Sequence, residues 1–396
     1  MKNRFALRGT CLAIAVFLTC CAVTAAEPDD RGSAAAPPAT KELPNPFVCA
    51  DGSVVRTPAE WQRRRGELKS LFEDYEYGHL PPKPEKMTIT RGDAQEDAAN
   101  GVTREAWKLN LKHDGKTLVV DVNLTLPKQA DGPLPVVVQG AFGRPGQPDR
   151  LSAFIDHGYA VAEVNFMQVA SDNREQARAS GIYELFGDDL DCGALMAWAW
   201  GMHRAIDALE QDDRIDAGKI VVTGHSRYGK AALVAGAFDE RIALTVPSHS
   251  GCAGSAPFRF IYGNSEKLHN IVGAFPYWFR SDFNRFVGKV DELPLDQHLL
   301  KALVAPRALL ATEGTEDAWT NPEGSQLTNL AAAEVYKFLG AGDRLSIRFR
   351  PVGHIPSNED LVEFADHVFF GKPLSAEFGQ LAYPQEPNGF RWTAPQ

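Results

Sequence analysis

Residues 219–238 read KIVVTGHSRYGKAALVAGAF, and this stretch decides the fold. Ile220-Val221-Val222-Thr223 is a short β-branched run stopped by Gly224, the pattern of a buried strand. After Gly229 the small-residue run KAALVAGAF continues as a helix. A sharp strand-to-helix turn lifts the hydroxyl of Ser226 above a sheet at a helix N-terminus. There, free backbone N–H groups face a developing oxyanion. The common elbow is GxSxG; here the second glycine arrives one residue late, giving GxSxxG. A helix-capping serine would account for Gly-x-Ser alone. The strand before and the helix after make Ser226 a candidate nucleophile, and Arg227 supplies the next N–H and a cationic side chain.

Outward from this unit, strands and helices alternate. PVVVQG (135–140) and YAVAEVNF (159–166) precede a long helix, ALMAWAWGMHRAIDALEQ (194–211). RIALTVPS (241–248), RALLATEG (307–314), helical AAAEVYKFLG (331–340) and RLSIRFRPVG (344–353) follow it. This alternation predicts a mainly parallel sheet with helices on both faces, a three-layer α/β sandwich. Earlier in the chain, WKLNLKH and TLVVDVNLTL alternate with a period of two and read as an antiparallel hairpin closed by HDGK. A surface helix is expected from about Thr57, where Thr-Pro opens a helical pattern. No repeat of 20 to 50 residues is visible. The segment from Met167 to Gly187 reads as a long loop near the cleft, without an assigned role.

The chain has 396 residues, 44% hydrophobic and 23% charged, which excludes wholesale disorder and a polytopic membrane protein. Its net charge of −10 carries no electrostatic footprint for nucleic acid. Lys2, Arg4 and Arg8 precede the apolar run CLAIAVFLTCCAV and the small residues Thr24-Ala25-Ala26. Residues 1–26 read as a secretory signal peptide, so the protein is expected to be exported, periplasmic or secreted. Leu18-Thr19-Cys20-Cys21 faintly matches a lipoprotein box with Cys21 as acceptor. Residues 27–45 read as a flexible linker and 46–396 as one catalytic domain. Without the leader three cysteines remain, and Cys192–Cys252 is the candidate bridge. No Cys/His spacing suggests zinc and HExxH is absent, so no zinc site is expected.

A nucleophilic serine needs a base, and His354 follows RLSIRFRPVG late in the chain. His225, His249 and His203 are read as packed or surface histidines. The acid that orients the base falls in the loop after RALLAT, which offers Glu313, Glu316 and Asp317, and spacing does not choose among them. The order Ser…Asp/Glu…His is that of α/β-hydrolases.

Gly224-His225-Ser226-Arg227-Tyr228-Gly229-Lys230, Ser250-Gly251-Cys252-Ala253-Gly254, Ala197-Trp198-Ala199-Trp200-Gly201 and Asp317-Ala318-Trp319 together resemble the glucuronoyl esterases, carbohydrate esterase family 15, the bacterial branch in particular. The likeness runs from about Thr57 onward. It implies an α/β-hydrolase that cleaves the ester between (4-O-methyl-)glucuronic acid of glucuronoxylan and a lignin alcohol, without metal or cofactor. It implies Ser226 as nucleophile, Arg227 as oxyanion stabiliser, His354 as base, and Lys230 and Trp319 as sugar contacts. Fungal members carry a glutamate just before Ser-Gly. Here the segment reads Val246-Pro247-Ser248-His249-Ser250-Gly251, and the likeness to bacterial members singles out Asp317 as the acid. Fungal members also bridge the positions held here by His225 and Ile355. A monomer is expected, without nucleic acid or integral membrane partners. The alternatives are another carbohydrate esterase, such as an acetyl xylan esterase, or a non-catalytic carbohydrate-binding relative.

Overall fold

The computed structural model describes residues 40–128, 132–141, 148–187 and 190–396. The expected signal peptide, Cys21 and most of the expected linker lie outside the described residues. The last part of that linker does not behave as a tether. Leu43 is buried, its N–H bonds Gly389 O at 2.8 Å, and Thr40 N–H bonds Asp291 O at 2.8 Å. One leucine among prolines and charges gives no periodicity to read, yet it is enough to dock the chain.

From there Thr57 caps the helix Pro58–Phe72 with a capping box. This helix is less a surface element than expected, since Trp61, Leu68 and Phe72 are fully buried. Ten strands follow among the described residues: β1 (Lys86–Arg91), β2 (Gln95–Asp97), β3 (Val102–His113), β4 (Lys116–Pro127), β5 (Leu134–Ala141), β6 (Ala160–Asn165), β7 (Ile215–His225), β8 (Leu244–Ser248), β9 (Ala308–Gly314) and β10 (Leu345–Arg350). They form one sheet in the order β1-β3-β4-β6-β5-β7-β8-β9-β10, with β2 pairing β3. The hairpin β3–β4 turns at Asp114-Gly115, as its alternation predicts, and β1 and β2 extend it. From β6 to β10 every pairing is parallel.

The parallel strands are buried on both sides, which is why they read as continuous apolar runs. Val136 and Val138 face a core shared with the helices Ala194–Leu209 and Arg227–Phe238. Val137, Val161 and Val221 face a second core with Leu361 and Phe364 of the helix Asn358–Phe370. That is a three-layer sandwich. Strand order reverses at β5, with β6 on one side and β7 to β10 on the other, and the carboxyl ends of β5 and β7 flank that reversal, where open α/β sheets bind ligands. No helix among the described residues is long and apolar enough to cross a membrane.

The expected Cys192–Cys252 bridge is absent: Cys49, Cys192 and Cys252 are free and buried. Cys192 sits just ahead of the helix Ala194–Leu209, whereas Cys252 lies in the loop after β8 under Lys230. Burial pushes the Cys192 thiol up to about 12, so it stays protonated and inert.

Candidate active site

Ser226 stands at the end of β7 with φ 59° and ψ −124°, and the helix Arg227–Phe238 starts at the next residue. A side-chain-bearing residue holds such a backbone only when its surroundings enforce it. Here Ser226 N–H bonds Ser248 O at 2.9 Å, while Gly229 and Lys230 N–H bond Ser226 O at 2.9 and 3.2 Å. The late glycine has a steric reason. A Cβ on residue 229 would lie 2.8 Å from Gly224 O and 3.0 Å from Ser248 O. Position 228, where the common motif has its glycine, carries a tyrosine. Its ring meets Phe166 and Trp198 edge-on at 5.0 and 5.6 Å, contacts worth about 0.5–1.5 kcal/mol each.

Asp317 and His354, the candidate acid and base, follow β9 and β10, beyond β8 in the sheet. Beyond β9 the chain is tied to the loop after β10: Thr315 N–H bonds Arg350 O at 2.9 Å and Glu316 N–H bonds Val352 O at 3.1 Å. Asp317 is thereby held against His354, whose Nδ1 lies 2.6 Å from Asp317 Oδ2. Gly314 permits this closure, since a Cβ there would come within 2.3 Å of Val352 O and 2.9 Å of the His249 ring.

His249, read from the sequence as bystander, belongs to this cluster. Its Nδ1 is 3.0 Å from the same Asp317 Oδ2, and it is fully buried with φ 46°. Its position is the signal that could have found it: it directly follows a parallel strand, just before Ser-Gly. Burial alone would raise the Asp317 carboxyl, but the hydrogen bonds from His249 and His354 hold it far below the ordinary carboxylate range. Glu313 lies at the end of β9, buried, where burial pushes its carboxyl up against the pull of Lys301. Glu316 is exposed. Of the three acids left open by spacing, Asp317 is the one bonded to His354.

His225 packs its ring 4.2 Å from that of His354. Its Nε2 is buried without a hydrogen-bond partner among the described residues, and burial with the neighbouring imidazoles pushes it down to about 4. Ring nitrogens of His225, His249 and His354 lie within 4.8 Å of one another. To share a zinc ion with bonds of about 2.0–2.1 Å they would have to draw closer, to roughly 3.3 Å apart.

Arg227 turns its guanidinium over Phe275 and Trp278, 5.0 Å from each ring, and Nη1 pairs with Asp172 Oδ2 at 2.6 Å. Lys230 is buried, and its ammonium donates to Ser250 O at 2.5 Å and Cys252 O at 2.6 Å, with Glu266 at 3.9 Å. Burial lowers its pKa. So Lys230 first of all fixes the loop after β8. Trp319 is 52% exposed on the short turn Ala318–Thr320 that Asp317 opens. Gly140 and Ala141 end β5 opposite the elbow; the rest of that loop lies outside the described residues.

A serine on a strained strand-to-helix turn, next to a carboxylate–imidazole pair, is an arrangement that suits acyl transfer. The comparisons with known proteins point the same way. A family model described as fungal glucuronyl esterase matches residues 109–340. The 4-O-methyl-glucuronoyl methylesterase of Schizophyllum commune is 31% identical over 98% of this chain and 97% of its own length. That of Cerrena unicolor is 36% identical over 76% of this chain, which spans 63% of the relative's length. A solved carbohydrate esterase family 15 glucuronoyl esterase from Caldicellulosiruptor kristjansonii superposes with a TM-score of 0.77 and 33% identity, covering 89% of this chain and 97% of that one.

Proposed function

The chain belongs to the glucuronoyl esterases of carbohydrate esterase family 15, and from that premise we propose that it cleaves glucuronate esters through an acyl-enzyme on Ser226. The observation that carries this reading is the 2.6 Å contact between His354 Nδ1 and Asp317 Oδ2 beside the elbow. With Nδ1 committed to Asp317, His354 Nε2 is the nitrogen left to take the Ser226 proton. The serine oxygen then attacks the uronate carbonyl carbon, and the negative charge on the carbonyl oxygen falls to the backbone N–H and side chain of Arg227. The C–O bond to the alcohol breaks as His354 returns the proton to the departing oxygen. A water, deprotonated by the same imidazole, releases the uronic acid and restores the serine. Asp317 keeps the imidazole in the productive tautomer and stabilises the imidazolium.

Lys230 and Trp319 are read as the sugar side of the site. The esterified carboxyl is uncharged, so recognition depends on hydroxyl contacts and on stacking against the exposed Trp319 ring. The alcohol is read as a lignin alcohol, and the acting unit as a monomer. The leader assigns the protein to export, with Cys21 as a possible lipid acceptor; the mass of the mature N-terminus distinguishes cleavage after Ala26 from lipidation.

Ser226→Ala should abolish alcohol release from benzyl glucuronate while leaving the melting temperature near that of the unaltered enzyme. Retained turnover would remove the serine mechanism. Faster cleavage of an acetyl ester than of methyl or benzyl glucuronate would make the protein a different carbohydrate esterase. No turnover of either, with sugar binding kept, would make it a binding relative.

A further inference from the structure

We propose that Asp172 is a positioning residue of the esterase centre, holding the Arg227 guanidinium where the oxyanion forms and acting only through that arginine. The proposal rests on the reading of Arg227 as an oxyanion donor.

A guanidinium on a flexible stem stabilises a transition state only if it is fixed before charge develops. Two restraints fix this one. Phe275 stacks on Trp278 at 3.9 Å with rings 4° from parallel, and the guanidinium lies 5.0 Å from both ring centroids, at the rim of the pair. That plate supplies a contact without a direction. Direction is set by Asp172, whose Oδ2 takes Arg227 Nη1.

Asp172 is itself immobilised. Its Oδ1 accepts from Trp278 Nε1 at 2.8 Å and lies 3.0 Å from the Tyr277 hydroxyl, and its side chain is only 7% exposed. Trp278 thus contacts the arginine with its ring and bonds the aspartate with its N–H. Nearby, Arg174 donates to Gly273 O at 2.6 Å and Arg178 to Phe279 O at 3.3 Å. These bonds bolt the irregular stretch between the helices Phe166–Val169 and Ile182–Phe186 to the segment that carries the plate. Among the described residues no other nitrogen of the Arg227 guanidinium is hydrogen-bonded, so its remaining donors stay available to substrate. An ion pair made only for surface stability would need none of this support.

The test is a double-mutant cycle on the full enzyme with benzyl glucuronate, reading kcat and KM separately. Arg227→Ala should lower kcat by about 10²–10³, the usual loss for one oxyanion donor. Asp172→Asn should lower kcat by roughly ten- to a hundredfold with KM nearly unchanged, because a ground-state ester carries no oxyanion. On the Arg227→Ala background Asp172→Asn should cost nothing further. Losses that multiply, or an unchanged kcat in Asp172→Asn, overturn the positioning role. An unchanged kcat in Arg227→Ala overturns the oxyanion reading itself, and the proposal with it. If Asp172→Asn does not fold, Tyr277→Phe takes its place. A several-fold loss of kcat, absent when Arg227 is alanine, supports the role, and an equal loss on both backgrounds refutes it.

Discussion

β9 and the loop beyond it carry two buried carboxylates four residues apart, and their surroundings push them in opposite directions. Glu313, inside the strand, is raised by burial, with Lys301 only partly offsetting it. Asp317, in the loop, also pays desolvation but is drawn down by two imidazoles on one oxygen. Burial is common to both, so directed hydrogen bonds are what favour the charged form at Asp317 and not at Glu313.

Exchanging carboxylate for amide at each position tests that contrast. Asp317→Asn should lower kcat by about 10⁴, since the amide can favour the wrong His354 tautomer. The sign of its pH effect is also set. A carboxyl lowered in the folded state adds stability above its ordinary range, and the contribution is lost as pH falls through that range toward the depressed value. Thermal melts of Asp317→Asn should therefore respond less to acid than those of the unaltered enzyme. Glu313→Gln should change kcat by no more than about threefold, because Glu313 makes no hydrogen bond to the His354 imidazole and burial already opposes its charge. A loss near that of Asp317→Asn would exchange their roles.

The smallest effect is expected on the imidazole side. His225 is pushed down to about 4, chiefly by burial. The unfolded chain takes up this proton near pH 6.5 and the folded one only near 4, so stability falls as pH drops between those values. His225→Gln should flatten that part of the melting curve against pH. An unchanged slope would mean that His225 is charged in the folded state.

Much of this architecture was legible because parallel strands buried on both faces leave uninterrupted apolar runs, as in Val136-Val137-Val138 and Ile220-Val221-Val222. Ser226 was legible for a related reason: the turn needs glycines on either side of it. Asp317 could not be separated from Glu313 and Glu316 by spacing, since the choice is made by β9 and β10 lying side by side with their loops tied at Arg350 and Val352. His249 was passed over although it directly follows a parallel strand, because its partner Asp317 lies 68 residues further on and no spacing links them. Asp172 lay in a stretch without periodicity, where partners distant in sequence supply the order. The cysteine pairing failed because a count of three does not say which thiols meet, and each thiol is buried by packing without a partner.

The glycine at 229 instead of 228 has a practical consequence. Moving it back to the commoner spacing would set a side chain against Gly224 O and Ser248 O and strip an aromatic post from beneath the nucleophile's helix. The two changes are inseparable, so the variant spacing is a self-consistent alternative and not a decayed copy of the usual one. Genome searches keyed to the shorter pentapeptide would pass over enzymes built this way.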